Sequence, residues 1–438
     1  MAHVRRTTGE ALVTDHDVVI VGAGLAGLVA ALDLTRAGLD VRLLERAAEP
    51  GGRVAGEIVD GFVVDRGFQV LNTSYPQVRR RLDLTALDLR QFVSGALVRR
   101  DGRLHRLVDP RRHPGGLVST LASGLLPWRD KLALARYAAR AGYRPVAELL
   151  AEPETTAAQA LRRRGIGDAG IERFLRPFLS GVLGEDELET SSRYVDLVWR
   201  SFARGRVGVP AAGMSAIPRQ LAARLPDGVL MCGVDVHRVD GADASKAGTN
   251  GSDGAQVQHS GGRLRARAVV VATDPRTAGR LLPTLAVPPM RPLTTVYHAA
   301  PEPPGTGPIL LLEGGDDRLV ANSVVLTDAA PEYSRDGRAL VATSLVGAAA
   351  ADVDEAALRR RLARLYGTPT DRWAHVRTVH VPDALPAAQP PLGDLRRPDD
   401  LGDGLFVAGD HRDTPSIQGA MASGTRAARA VLQAIGPA

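Results

Sequence analysis

Between residues 17 and 45 the chain reads DVVIVGAGLAGLVAALDLTRAGLDVRLLE, an order of residue types that few folds accommodate. Asp17-Val18-Val19-Ile20-Val21 is a nearly continuous apolar run rich in β-branched residues, as expected of a strand buried on both faces. It leads into Gly22, Gly24 and Gly27, spaced G-x-G-x-x-G, and then into a Leu- and Ala-rich helical run over 25–37 that Gly38 ends. A second apolar run, 41–44, stops at Glu45. Each glycine has a physical task. Gly22 permits the tight turn, Gly24 lets the backbone approach a pyrophosphate, and Gly27 lets helix and strand pack closely. At the helix start, Leu25 and Ala26 offer backbone N–H groups and the positive dipole end to phosphates. Glu45 is placed to accept hydrogen bonds from ribose hydroxyls, which suits NAD or FAD rather than NADP.

The residues that follow choose between those two. After Glu45-Arg46 comes Pro50-Gly51-Gly52-Arg53, and later Asp65-Arg66-Gly67. This succession resembles the extended FAD fingerprint of the flavin-containing amine oxidase superfamily, which includes monoamine and polyamine oxidases, protoporphyrinogen oxidases and phytoene desaturases. The resemblance implies FAD as cofactor, with Arg46, Gly51, Gly52 and Arg53 alongside its pyrophosphate. It also implies that the D-x-G stretch lies close to the flavin ring, which makes Gly67, Phe68 and Gln69 site candidates. Val209-Pro210-Ala211-Ala212-Gly213-Met214 resembles the point where such chains re-enter the FAD domain, with Ala212 in place of a glycine. Strands expected to pair over 229–239 then bring the backbone of Val234 and Val236 to the adenine. The family's V-V-V-A-T segment matches 269–273 and adds Thr273.

Near the C-terminus, Leu405-Phe406-Val407-Ala408-Gly409-Asp410 is followed by Ser416-Ile417-Gln418-Gly419-Ala420-Met421 and Ser423-Gly424. This resembles the C-terminal FAD motif of phytoene desaturases and their relatives. Gly409 and Asp410 are then expected at the ribityl phosphate end. A helix starting near Ile417, Gln418 and Gly419 would aim its positive end at the flavin N1–C2=O edge and favour hydride acceptance. Gly419 and Ala420 would be small because the flavin ring lies against the backbone.

The implied fold is α/β: a Rossmann-like, doubly wound FAD-binding domain of the glutathione-reductase type, with an α+β substrate-binding domain inserted. The FAD domain is expected over 14–70, 210–290 and 392–438, and the substrate domain over 71–209 and 291–391. Within the latter, arginine-rich amphipathic helices are expected from 71 to 210, clearest at 76–82, 128–143, 155–164 and 169–179. On the second of these Leu132, Leu134, Ala135 and Ala138 would form the apolar face. Strands are expected at 295–299, 309–312, 319–326 and 340–346, with a helix at 354–366. Residues 241–262, rich in Gly, Ser, Asp and Asn, read as a mobile surface hairpin or loop.

Composition narrows the functional classes. All but two of the 55 basic residues, Lys131 and Lys246, are arginine, and no basic run interleaves with aromatics, so nucleic acid is not an expected partner. The single cysteine, Cys232, rules out an internal disulfide or a cysteine-built metal site and reads as a packed core thiol. No metal-ligand spacing stands out. The expected location is cytoplasmic, because the N-terminal apolar stretch is too short for a leader and no run is long enough to span a membrane. The basic helical faces, through 117–128 and the helix that follows, read as solvated, with peripheral membrane contact as the alternative.

The chemistry belongs to the cofactor, and the protein supplies pocket and orientation. Amine oxidases of the resembled superfamily usually carry a lysine on the strand after the V-V-V-A segment. Here that stretch is Arg291-Pro292-Leu293-Thr294-Thr295-Val296-Tyr297, without lysine, and the C-terminal motif lacks an aromatic cage. The reading is an FAD-dependent oxidoreductase that dehydrogenates a fairly large apolar molecule, isoprenoid or porphyrinogen-like, and passes electrons to oxygen or a quinone. Alternatives are an amine or amino-acid oxidase, a flavin-dependent isomerase, and a non-catalytic flavoprotein. Candidate catalytic residues are His411, Gln69 and Gln418, with an exposed loop histidine as the plainer account of His411.

Overall fold

The computed structural model describes residues 15–242, 254–315, 319–347 and 350–436. They fall into two compact units. One takes 15–52, the described residues of 218–287, and 396–436, and the other takes 53–217 and the described residues of 288–395. Residues 53–70, expected with the FAD domain, therefore belong to the second unit.

The first unit is built on an eight-stranded sheet. Its centre is parallel. His16–Val21 lies between Val41–Glu45 and Gly262–Val271, Leu230–Cys232 pairs beyond Val41–Glu45, and Leu405–Val407 pairs with the end of Gly262–Val271. Val18, Val19 and Ile20 are fully buried, which explains why the strand carries no polar alternation. The other half of Gly262–Val271 turns back antiparallel through Ala255–His259 to Val236–Asp240. The two strands expected to pair over 229–239 thus never meet. The short segment Leu230–Cys232 finds an apolar edge at Val41–Glu45 instead, and Cys232 on that outer strand is only half-buried. Of the loop expected over 241–262, residues 243–253 lie outside the described residues.

Leu25–Arg36 forms the helix expected after the glycine turn, with nine of its twelve residues buried. Against it packs the C-terminal helix Ile417–Ile435. The approach is close: a Cβ on Gly424 would overlap the Ala26 carbonyl.

The second unit centres on a seven-stranded sheet in the order Ala374–Pro386, Met290–Ala300, Ala339–Leu345, Val320–Val325, Leu310–Glu313, Gly95–Arg100, Arg103–Val108. All neighbours are antiparallel except Leu310–Glu313 with Gly95–Arg100. Helix Glu355–Tyr366 buries Leu358, Leu362 and Leu365 in the same apolar cluster as Val296, Val341 and Leu345. The strands over 89–108 correct the expectation of a wholly helical stretch from 71 to 210. Gly95–Arg100 pairs with its neighbour Arg103–Val108 across the Asp101-Gly102 turn, a local hairpin signal that the helical reading passed over, while its other partner, Leu310–Glu313, lies more than two hundred residues away. The strand Ala374–Pro386 escaped notice because prolines interrupt it, which an edge strand tolerates.

The helices over 128–204 form their own core. Trp128–Tyr143 has the expected bounds but a different buried face, formed by Asp130, Ala133, Tyr137 and Ala141. Leu132 is exposed and Leu134 and Ala138 are only partly buried, because Tyr137 is drawn inward. Its ring stacks on Trp199 of the helix Ser192–Arg204 at 5.5 Å, and its hydroxyl donates to Asp196 at 2.8 Å. Asp196 also receives both Nη groups of Arg164 at 2.7 Å. The helix expected over 169–179 continues to Leu183.

Candidate functional site

In the first unit the C-terminal ends of the parallel strands lie along one edge of the sheet, and the chain leaves each of them into a candidate segment. Val21 leads into Gly22, Glu45 into Arg46, Cys232 into Val234, Val271 into Thr273, and Val407 into Gly409. Ligands of doubly wound sheets bind at this edge.

Gly22 adopts φ +101°, a left-handed conformation, and its Cβ position is crowded by the Ala272 carbonyl. A Cβ on Gly27 would overlap the Gly22 carbonyl. Gly24 differs, since nothing lies within 4 Å of the place its Cβ would take. The helix it opens has no side-chain cap and no acid in its first turn. A second glycine pair folds onto this turn. The Gly51 N–H donates to the Ala23 carbonyl at 2.9 Å, and Gly24 and Gly51 form a parallel bridge. Glu45 clamps the same place: Oε2 accepts the Ala23 N–H at 2.7 Å and Oε1 the Ala47 N–H at 2.9 Å. Arg46 is exposed, and the Val234 N–H donates to the Glu45 carbonyl at 2.9 Å. Val236 is buried in the core, and the Thr273 hydroxyl donates to the Asp274 carbonyl at 3.1 Å.

The C-terminal motif is held by a network that the sequence did not announce. The Gly409 N–H donates to Ser423 Oγ at 3.1 Å, and Ser423 donates to Asp399 at 3.2 Å. Arg426 donates to Asp399 at 2.9 Å and pairs with Asp413. Burial pushes the Asp399 carboxyl above its usual range, against the pull of Arg426. Ser416 caps the C-terminal helix by accepting the Gly419 N–H at 3.0 Å, so that N–H is already engaged. A Cβ on Gly419 would overlap the Thr414 carbonyl. The turn over 414–419 therefore demands glycine by itself, a reason different from the expected one. Asp410 and His411 are buried, the latter with its ring packed on Gly409, which corrects the account of His411 as an exposed loop residue. Ile417, Gln418 and Ala420 are half-buried in the first turn of the helix.

Arg53, Gly67, Phe68 and Gln69 belong to the second unit. One Arg53 Nη donates to the Ala384 carbonyl at 2.8 Å. Gln69 Nε2 donates to the carbonyls of Arg53 at 2.8 Å and Arg66 at 3.0 Å, which gives its amide a loop-fixing task. The Phe68 N–H donates to Thr295 Oγ1 at 3.2 Å. Behind this loop the buried Asp65 carboxylate accepts from Tyr333 Oη at 2.8 Å and from the Met214 N–H at 2.9 Å. Tyr297 Oη donates to the Asp65 carbonyl at 3.0 Å. Desolvation, only partly offset by those donors, pushes the Asp65 carboxyl up to about 6. Sequence reasoning missed this cluster, because its members are far apart in the chain and none belongs to a motif except Asp65 and Met214.

The sequence pattern of the family described as flavin containing amine oxidoreductase matches residues 25–432. This chain belongs to that family. Its members are FAD-dependent oxidoreductases, and FAD is the cofactor. Among relatives, hydroxyneurosporene desaturase of Rubrivivax gelatinosus is 56% identical over 52 residues, 12% of this chain and 10% of that protein. The L-amino acid dehydrogenase of a Synechocystis strain is 27% identical over 301 residues, 63% of this chain and 59% of that protein. The matches thus span less than two thirds of the length of either relative. A putative protoporphyrinogen oxidase from Exiguobacterium superposes with TM-score 0.70 at 18% identity, covering 95% of this chain and 99% of the other, which establishes the shared fold.

The first unit fits that cofactor. The uncapped helix start, the open face of Gly24 and the second glycine pair make a cradle that suits the pyrophosphate of FAD. Neutral or cationic partners would gain nothing from the dipole there, whereas a pyrophosphate does. Among the described residues no cluster of His, Cys, Asp and Glu is arranged to hold a metal ion, and no helix is long and apolar enough to cross a membrane.

Proposed function

We propose that this flavoprotein dehydrogenates a fairly large, apolar small molecule at a C–H bond, an isoprenoid or porphyrinogen-like compound, with oxygen or a quinone as final electron acceptor. When bound, FAD supplies the hydride acceptor. Gly24, Gly51 and Gly52 would cradle the pyrophosphate on the turn that Gly22 and Gly27 permit, and Glu45, which stiffens that turn, would also accept from the ribose. Gly409 and Asp410 meet the ribityl phosphate end, held in place through Ser423.

The observation that carries the substrate class is the strand Met290–Ala300. Amine oxidases of the superfamily usually carry a lysine on this strand, whereas residues 291–297 here include none, and the Thr295 hydroxyl accepts the Phe68 N–H of the D-x-G loop. Lys131, on another element, donates to the carbonyls of Leu121 and Ser123. Hydride loss from a hydrocarbon leaves no amine whose protonation state the site must manage, so a lysine is dispensable.

A second reading, dehydrogenation of an amine or amino acid, is supported by the L-amino acid dehydrogenase among the relatives. Product analysis separates them. The flavin-loaded protein, given a porphyrinogen or an acyclic polyene with a quinone, is expected to release a product lighter by two hydrogens. Ammonia released from an amine under the same conditions would contradict the primary reading.

A further inference from the structure

The helix Leu117–Ala122 has its polarity inverted. Its sequence, LVSTLA, places Leu117, Val118 and Leu121 on one side and Thr120 on the other. In a helix packed on its own core the apolar side would be covered. Here no residue of the helix is buried, and the polar side is the one tethered to the protein. Thr120 Oγ1 accepts the Val108 N–H at 3.2 Å, and Ser123 Oγ bonds His105 Nδ1 at 3.2 Å. Lys131 Nζ closes the end by donating to the carbonyls of Leu121 at 2.6 Å and Ser123 at 2.7 Å. Val118 is left 75% exposed and Leu121 60%.

The next helix continues the pattern. It opens with Trp128, 69% exposed, and its Leu132 also faces water. Eleven large hydrophobic residues are exposed among those described, and five of them fall within 117–132. Such a concentration marks an interaction surface rather than the scatter found on any protein.

Charge identifies the partner. Between residues 103 and 136 the chain has seven basic residues and two acids. Asp130 is buried and accepts the N–H groups of Gly167 and Gly170, while Asp109 is paired with Arg111. The flanking Arg103, Arg106, Arg129 and Arg136 are exposed. A second copy of this chain would bring two cationic patches together, which like-charge repulsion opposes. Aliphatic side chains, a tryptophan and exposed arginines instead match the interface of an anionic lipid bilayer, where rings sit at headgroup depth and arginines meet lipid phosphates.

We propose that the 117–132 segment docks this protein on anionic membrane surfaces, with Leu117, Val118, Leu121 and Trp128 entering the headgroup layer. The inference is independent of the substrate reading, since it rests on this surface alone. The test uses the full-length, flavin-loaded protein and vesicles of phosphatidylcholine, with or without about one third phosphatidylglycerol. Co-sedimentation is expected only with the anionic vesicles and is expected to fall as salt rises. A double variant, Val118→Glu with Leu121→Glu, is expected to bind about tenfold less while keeping its flavin spectrum and melting temperature. As both side chains already face water, the fold does not depend on them. Absence of wild-type binding, or equal binding by the variant, would overturn the proposal. So would a wild-type dimer in sedimentation velocity that the double variant splits, which would assign the surface to self-association.

Discussion

The Ala23 N–H donates to Glu45 Oε2 at 2.7 Å, joining the first glycine turn to the end of the second strand across twenty-two residues of chain. The acid expected to meet a ribose is thus also a strut of the pyrophosphate turn, and its other oxygen holds Ala47. Removing it strips two backbone donors of a charged acceptor, each such bond being worth about 1.5–3 kcal/mol. Glu45→Ala is expected to weaken FAD binding about ten- to a hundredfold, read by titrating apoprotein and following flavin fluorescence. Unchanged affinity would remove Glu45 from the site.

Gly24 and Gly27 give a sharper contrast. Gly24 has ordinary extended dihedrals, φ −71° and ψ 177°, and open space at its Cβ position. Gly24→Val is therefore expected to fold normally yet bind FAD about a hundredfold less tightly, since its side chain occupies the phosphate approach. Gly27→Val drives atoms into the Gly22 carbonyl and is expected to lose both thermal stability and flavin. The check is the melting temperature of each apoprotein beside its flavin content.

Asp65 predicts a pH dependence. Burial raises its carboxyl from 3.8 to about 6, so between those values the folded chain keeps a proton that the unfolded chain has released. Its contribution to stability therefore declines as pH rises from about 4 to 6 and is level above, a total of about 3 kcal/mol. Urea denaturation of the wild type and Asp65→Asn at the two ends of this window is expected to show a flatter profile in the variant by about that amount. Parallel profiles would show that the carboxyl titrates normally.

The polar cluster of the helical core yields a stability prediction. Asp196, 1% exposed, receives Tyr137, both Nη groups of Arg164, and Arg140 at 3.2 Å. Asp196→Ala leaves the Tyr137 phenol without its acceptor and the guanidiniums of Arg140 and Arg164 with Glu152 alone, and is expected to cost about 1–3 kcal/mol, seen as an earlier urea transition.

The sequence disclosed most where chemistry is local. The glycine turn, its helix and the C-terminal glycine strand could be placed because their signals lie within a few residues of one another. The bounds of Trp128–Tyr143 were legible for the same reason. What stayed hidden depends on distant partners. The hairpin over 95–108 joins its sheet through Leu310–Glu313, Ser423 matters through Gly409 and Asp399, and Asp65 through Tyr333 and Met214. The inward face of Trp128–Tyr143 does follow helical spacing, through 130, 133, 137 and 141, but it carries Asp130 and Tyr137, whose polar groups are satisfied only by distant partners, so counting leucines pointed to the wrong side.

Anaerobic reduction of the bound flavin tests the central claim most directly. The purified protein, freed of oxygen, is mixed in turn with primary amines, L-amino acids, a porphyrinogen and apolar polyenes while the oxidised flavin absorbance is followed. Bleaching by the porphyrinogen or a polyene, with the amines and amino acids inert, is the predicted result. Rapid bleaching by an amine or amino acid alone would contradict the argument from Thr295 and assign this member of the family to nitrogenous substrates.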